Sequence, residues 1–229
     1  MARKQSKIKT KFKHQREMRA ASKVVPKTMN QEYLIDAIEE EVLTVAIGPA
    51  GTGKTYIAGM VASKLLLKGK INNIILTRAN VPTGRSLGHF PGTIEEKMTP
   101  WLAPILSVLN LGLGKEDVKC RMNKSIQIQP IETIRGQSFL NSIILVDEAQ
   151  NLTMEEIKAI TTRIGEGSKL VLMGDPAQSD VHKGLDLIRF AMLCEKKNIS
   201  VPIIEFGIKD IVRSGIVSDL VRMFYEENL

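Results

Sequence analysis

Apolar residues along the chain fall into short, β-branched runs separated by longer stretches of helical period. Val42–Ile47, Ile74–Thr77, Ile143–Val146, Leu170–Met173 and Val201–Phe206 are the runs. Continuous apolar character predicts strands buried on both faces, as in a parallel sheet, whereas Ser125–Ile128 alternates like a short strand. The intervening segments predict helices. Leu34, Ile35 and Ile38 form the apolar face of the first, with Thr28 or Asn30 as its cap. Tyr56–Lys68 is rich in Ala and Leu and stops at Gly69. Ile94–Leu109 reads as a helix interrupted near Pro100 and Pro104, with Trp101 in the core, and Asn110–Asn123 as a polar connection. Ile131–Gln137 reads as a turn or short helix. Met154–Ile164 begins after Thr153 with Glu155 and Glu156 in its first turn; Leu185–Lys196 and Ile216–Tyr225 complete the set. Alternating strands and helices predict an α/β fold, a parallel sheet with helices on both faces.

The tips of those strands carry the chemistry. After the first strand comes Gly48-Pro49-Ala50-Gly51-Thr52-Gly53-Lys54-Thr55, which meets every fixed position of a G-x-x-x-x-G-K-[ST] phosphate loop. Glycines let backbone N–H groups curl around phosphate oxygens, and the following helix adds the partial positive charge of its N-terminus. Lys54 is expected to reach the β- and γ-phosphates, and the Thr55 hydroxyl to bind Mg²⁺. The expected cofactors are therefore ATP and Mg²⁺. The expected nucleotide contacts are Gly48, Pro49, Ala50, Gly51, Thr52, Gly53, Lys54, Thr55 and Tyr56. Gln31, shortly before the loop, has an amide able to read adenine.

Four apolar residues then lead into Asp147 and Glu148. Asp147 is expected to bind Mg²⁺ and Glu148 to orient or deprotonate the attacking water. The strand Leu170–Met173 ends at Gly174-Asp175-Pro176-Ala177-Gln178, where Gln178 suits a γ-phosphate sensor. In phosphate-loop ATPases with a catalytic glutamate, the sensor strand lies between the strands of the loop and of the acids. The fold class expected is thus a P-loop NTPase with a RecA-like sheet. The long Gly/Pro-rich loop after Thr77 carries Arg78 and Arg85, candidate contacts to nucleic acid.

Charge changes the picture at one end. Residues 1–27 hold ten Lys and Arg against Glu17, a net +9 where the whole 229-residue chain is +7. The remainder is slightly acidic, so a sequence pI near 9.4 reports a basic tail and not a basic fold. Such a block reads as a disordered tail, serving either solubility or nucleic-acid phosphates, ahead of one ATPase domain over residues 28–229. No apolar run reaches membrane-span length and the tail lacks the apolar core of a secretory signal, so the cytoplasm is the expected compartment. Cys120 and Cys194 are isolated, and His14, His89 and His182 are scattered; neither a disulfide framework nor a zinc site is indicated.

Taken together the motifs resemble the PhoH family, phosphate-starvation-inducible ATPases related to superfamily 1 helicases. The resemblance runs from about Thr28 to the C-terminus. It rests on Gly48–Thr55, Thr77–Val81 with Gly84 and Leu87-Gly88, Phe90-Pro91-Gly92, Glu96-Lys97-Met98 and Pro100-Trp101. It continues through Ile134-Arg135-Gly136, Val146–Asn151, Gly174–Gln178 and Asp210–Ser214. It implies ATP hydrolysis, engagement of RNA or single-stranded DNA, and a homo-oligomeric ring, most simply a hexamer. It also implies Gln31 beside adenine and Arg213 as a finger acting on a neighbouring subunit. The length admits one helicase-type lobe, which agrees with completion of the site by a neighbour. Some relatives carry an N-terminal ribonuclease domain; the basic tail leaves no room for one, and nuclease activity is not carried over. Trp101 stands where family members often have Tyr.

Two other classes fit less well. A thymidine-kinase-like phosphotransferase shares the loop and Asp-Glu-Ala-Gln, but it uses paired zinc cysteines, and it leaves Gln178 and Arg213 unexplained. A non-catalytic nucleotide switch would leave Glu148 without a use.

Overall fold

In the computed structural model of the chain, residues 24–79, 98–178, 185–213 and 215–226 are described. The elements alternate as the apolar pattern implies. Helix α1 (Met29–Glu40) precedes β1 (Leu43–Ile47), and α2 (Lys54–Leu67) precedes β2 (Asn73–Arg78). Helices α3 (Ala103–Leu113) and α4 (Lys115–Arg121) lead to β3 (Ile126–Ile128), and the single turn α5 (Ile131–Ile134) to β4 (Ser142–Asp147). Then come α6 (Met154–Thr161), β5 (Lys169–Gly174), α7 (Leu185–Lys196), β6 (Ile203–Glu205) and α8 (Ile216–Glu226).

The six strands form one sheet in the order β3-β2-β4-β5-β1-β6, and every pairing is parallel. Strand β5, which leads to Gln178, lies between the loop strand β1 and the acid strand β4. Successive side chains on each strand go to opposite faces, and both faces are covered. Ile143 and Leu145 of β4 join Ile57, Val61, Leu65, Ile105 and Leu109 on one side. Ile144 and Val146 join Ile134, Ile157, Ile160 and Leu187 on the other. That two-sided burial is why the strands read as unbroken apolar runs.

Caps follow local chemistry. The Thr28 hydroxyl accepts from the Gln31 N–H at 3.3 Å, which settles the start of α1. Thr153 and Glu156 form a reciprocal capping box on α6. The third helix departs from expectation. Pro104 stands in its first turn, where a missing N–H costs nothing, so the proline starts the helix instead of interrupting it. Nor does the helix stop at Leu109: it runs to Leu113, and α4 occupies half of the expected polar connection. Gly112 permits this, because a Cβ there would stand 2.5 Å from Ser63 Oγ on α2. Trp101 is only half-buried, and Leu102 beside it is the core residue. Among the described residues no helix is long and apolar enough to cross a membrane.

Candidate functional site

The loop Gly48–Gly53 joins β1 to α2 at the C-terminal edge of the sheet. Gly51 and Gly53 take φ of 83° and 90°, left-handed values that turn the backbone sharply into the helix. Gly48 has φ 136°, and a Cβ there would stand 2.2 Å from the carbonyl oxygen of Phe206. Gly48→Ala is accordingly expected to destabilise the fold by about 2–4 kcal/mol, through backbone strain plus overpacking against Phe206, just past β6. Denaturant unfolding of the two proteins measures this, and a loss below about 0.5 kcal/mol would show that Phe206 yields easily.

Lys54 opens α2 yet lies buried, its ammonium donating to Gly48 O at 2.7 Å, Pro49 O at 2.9 Å and Thr52 Oγ1 at 3.3 Å. Burial lowers its pKa, while Asp175, Asp147 and Glu148 pull in the opposite sense. Thr52 donates to Pro49 O at 2.9 Å and keeps the turn closed. Gln31 braces the loop from behind. It is buried, its Nε2 donates to Thr52 O at 2.9 Å and its Oε1 accepts from the Lys27 N–H at 2.8 Å. Its amide thus joins the phosphate loop to the segment ahead of α1.

The acidic tip of β4 faces the loop. Asp147 Oδ1 lies 3.3 Å from Thr55 Oγ1 and accepts from the Glu148 N–H at 3.2 Å. Burial raises the Asp147 pKa, with the Glu148 charge adding to it; Arg78 and the two hydrogen bonds oppose the shift. Glu148 adopts φ 53°, a left-handed conformation uncommon outside glycine, and a 3-10 turn over Ala149–Asn151 follows it. Its carboxylate is held from two sides: Arg78 pairs with Oε1 at 3.4 Å, and Gln150 Nε2 donates to Oε2 at 2.6 Å. Arg78 also donates to the Trp101 carbonyl at 2.9 Å. At the tip of β5, Asp175 accepts from the Ala50 N–H and the Ala177 N–H, each at 3.2 Å. Its pKa is raised by burial and drawn back by Lys54.

These groups surround a cleft of about 310 Å³. Of the residues singled out from the sequence, Ala50, Gly51, Gly53, Lys54, Thr55, Tyr56, Asp147, Glu148, Gln178 and Arg213 line it. So does Arg78, which puts that side chain among the acids. Gly48, Pro49, Thr52 and Gln31 shape the loop from outside the lining. Arg213 arrives because the Val212 N–H donates to Gly51 O at 3.0 Å, laying the segment after β6 along the loop. A Cβ on Gly51 would stand 3.0 Å from Arg213 Nε. Arg85, with most of its loop, lies outside the described residues.

Residues 23–225 match the family model described as PhoH-like protein. The chain belongs to the PhoH-like family. It is 36% identical over 207 residues to a PhoH-like protein of Bacillus subtilis (strain 168), covering 88% of this chain and 64% of the relative. It is 38% identical over 213 residues to one of Mycobacterium tuberculosis (strain ATCC 25618 / H37Rv), covering 91% and 60%. The chain thus spans under two thirds of these relatives. In fold it is similar to the large terminase of a thermophilic bacteriophage, at a TM-score of 0.55 and 12% identity over 88% of this chain and 50% of that one. A second structure of that terminase, in complex with ADP, gives 0.53.

Three participants in the PhoH-like site escape a reading of the sequence. Gln150 reads as the end of the Asp-Glu-Ala-Gln motif, Asp175 as part of a turn, and Arg78 as a contact to a polymer. A polar residue next to an acidic strand tip is the available signal for Arg78 and Gln150. Asp175 has a similar one, since it follows a buried strand directly.

Proposed function

We propose that this PhoH-like chain binds ATP with Mg²⁺ and hydrolyses it, and that RNA or single-stranded DNA modulates the turnover. The observation that carries this reading is the convergence of Lys54, Thr55, Asp147 and Glu148 on one cleft. The donor set suits Mg²⁺: a hydroxyl and a carboxylate 3.3 Å apart, both hard oxygen ligands, leave the remaining positions for phosphates and water. Among the described residues no three His, Cys, Asp or Glu are grouped to hold a metal by themselves. When bound, Mg²⁺ supplies positive charge against the phosphate oxygens.

The side chains then divide the work. Loop N–H groups and the Lys54 ammonium bind phosphate and hold the terminal phosphoryl group in line. Glu148 accepts a proton from water as its oxygen bonds to the γ-phosphorus; the bond from that phosphorus to the β,γ-bridging oxygen breaks, and ADP leaves with the electron pair. Gln178 offers an uncharged amide to the γ-phosphate. Arg213 neutralises charge that builds on the transferring group. The side chain runs along Gly51 of its own chain, which supports a finger acting in cis, in place of the neighbouring-subunit role implied by the family resemblance. Residues 28–229 form the ATPase unit in this proposal, and the basic residues 1–27 serve phosphates of a polymer. Ring assembly is supported by family membership, and native mass measurement reads it.

The test is phosphate release from ATP with Mg²⁺, with a chelator, and with RNA or single-stranded DNA added. Turnover that needs the cation and changes with polymer is expected; no release under any condition would end the proposal. Arg213 has its own experiment. Arg213→Ala and Lys54→Ala proteins are each expected to be inactive and to stay inactive when mixed under demonstrated subunit exchange. Recovery on mixing would move Arg213 across a subunit boundary.

A further inference from the structure

Gln150 is used by none of the steps above, yet it is 1% exposed and every polar atom of its side-chain amide has to be satisfied inside the protein. Its two ends do different things. Nε2 donates to Glu148 Oε2 at 2.6 Å, and Oε1 accepts from the Asp175 N–H at 3.0 Å. One amide therefore spans the gap between the carboxylate at the tip of β4 and the backbone at the tip of β5. From Asp175 the connection continues, since its carboxylate takes the Ala50 N–H of the phosphate loop and the Ala177 N–H of the turn bearing Gln178.

The fit around the amide is close. A Cβ on Gly174 would stand 2.7 Å from Gln150 Oε1 and 2.8 Å from the Gln150 backbone nitrogen. Glu148, meanwhile, holds a left-handed backbone that persists only where the surroundings enforce it. The position asks for a donor toward a carboxylate and an acceptor toward an N–H, without charge. An amide meets all three demands; a carboxylate or an apolar chain of the same length does not.

We propose that Gln150 is a positioning residue for hydrolysis, tying the Glu148 carboxylate to the turn that carries Asp175 and Gln178 so that base and sensor hold one geometry. This role rests on Glu148 being the base. Gln150→Met keeps the volume and removes both hydrogen bonds. Gln150→Glu keeps an acceptor for the Asp175 N–H, places a second carboxylate beside Glu148, and serves where the first variant folds poorly. Each is made in the natural chain and in Glu148→Gln, and kcat, KM, the Kd for nucleotide and the melting temperature are measured.

In the natural chain either variant is expected to lower kcat by about 10–100-fold. The nucleotide Kd should stay within about twofold, because the phosphate loop is untouched. On the Glu148→Gln background the further loss of kcat should be below about twofold, since a residue that acts through the base has nothing left to position. A loss of the same size on both backgrounds, or a weakened Kd at unchanged kcat, would make Gln150 a brace of the cleft and overturn the inference. A different failure has a different signature. If Glu148→Gln alone turned over at the natural rate, the assignment of the base would fall, and the role of Gln150 with it.

Discussion

Replacing Lys54 by alanine is expected to remove nucleotide binding while leaving the fold intact. The ammonium donates to three oxygens of the loop at 2.7–3.3 Å and has few alternatives to them, being buried. Each is a charge-assisted bond, and the same charge is the group nearest to hand for the phosphates of a nucleotide. Truncating one partner of a buried, hydrogen-bonded charge pair costs about 2–5 kcal/mol of binding, a factor of roughly 30 to several thousand in Kd. Of the oxygens left behind, Pro49 O and Thr52 Oγ1 are buried, so a modest fall in melting temperature is expected without loss of the fold. Titration calorimetry with ATP and Mg²⁺, alongside a thermal melt, separates the two effects. An unchanged Kd would remove Lys54 from the binding site, and a collapsed melt would make it a structural residue.

Glu148→Gln is expected to do the reverse, binding ATP at near-natural affinity and turning it over about 10²–10⁴-fold more slowly. The substitution keeps the size of the side chain and its partnership with Gln150, whose amide can donate to the new oxygen as it does to Glu148 Oε2. What it removes is the acceptor for a proton. It also leaves Arg78 facing a neutral group in place of its partner at 3.4 Å. Both side chains of that pair keep about a third of their surface in water, so solvent screens the loss and the fold should tolerate it. Phosphate release under single-turnover conditions gives the rate, and a binding titration gives the affinity. Turnover at the natural rate would mean that another group takes the proton.

The sheet and its functional tips are legible in the sequence because both rest on short-range rules. A buried parallel strand must be apolar throughout, and a loop that wraps phosphate must be glycine-rich, so β1, β4 and β5 announce themselves together with Lys54, Asp147 and Gln178. Where a side chain points is a longer-range matter. Gln31 reads from the sequence as an amide near the nucleotide, and only the fold shows that the same amide also braces the Thr52 carbonyl and the Lys27 N–H. Arg78 looks like a polymer contact because it opens a long loop, and only register shows that it also lies opposite Asp147 across the ladder of β2 and β4. Helix α3 overruns its expected end because Asn110–Leu113 reads as part of a polar connection in sequence, while in space Gly112 packs closely against Ser63 and Leu113 is buried. The left-handed turn at Glu148 has no local signal at all, since neither glycine nor asparagine marks it.

The position of β5 between β1 and β4 makes the sheet a ruler. Neighbouring strands repeat at about 4.8 Å, so the backbone that bears the phosphate loop and the backbone that bears the acids are held two repeats, roughly 10 Å, apart. That spacing is set by ladder hydrogen bonds and by packing against the strand bodies, well away from the cleft. Side chains such as Leu172 and Val171, which never meet the nucleotide, therefore help to gauge how far Lys54 sits from Glu148. A change in their volume would register at the strand tips as altered kinetics, with the chemical groups themselves left in place.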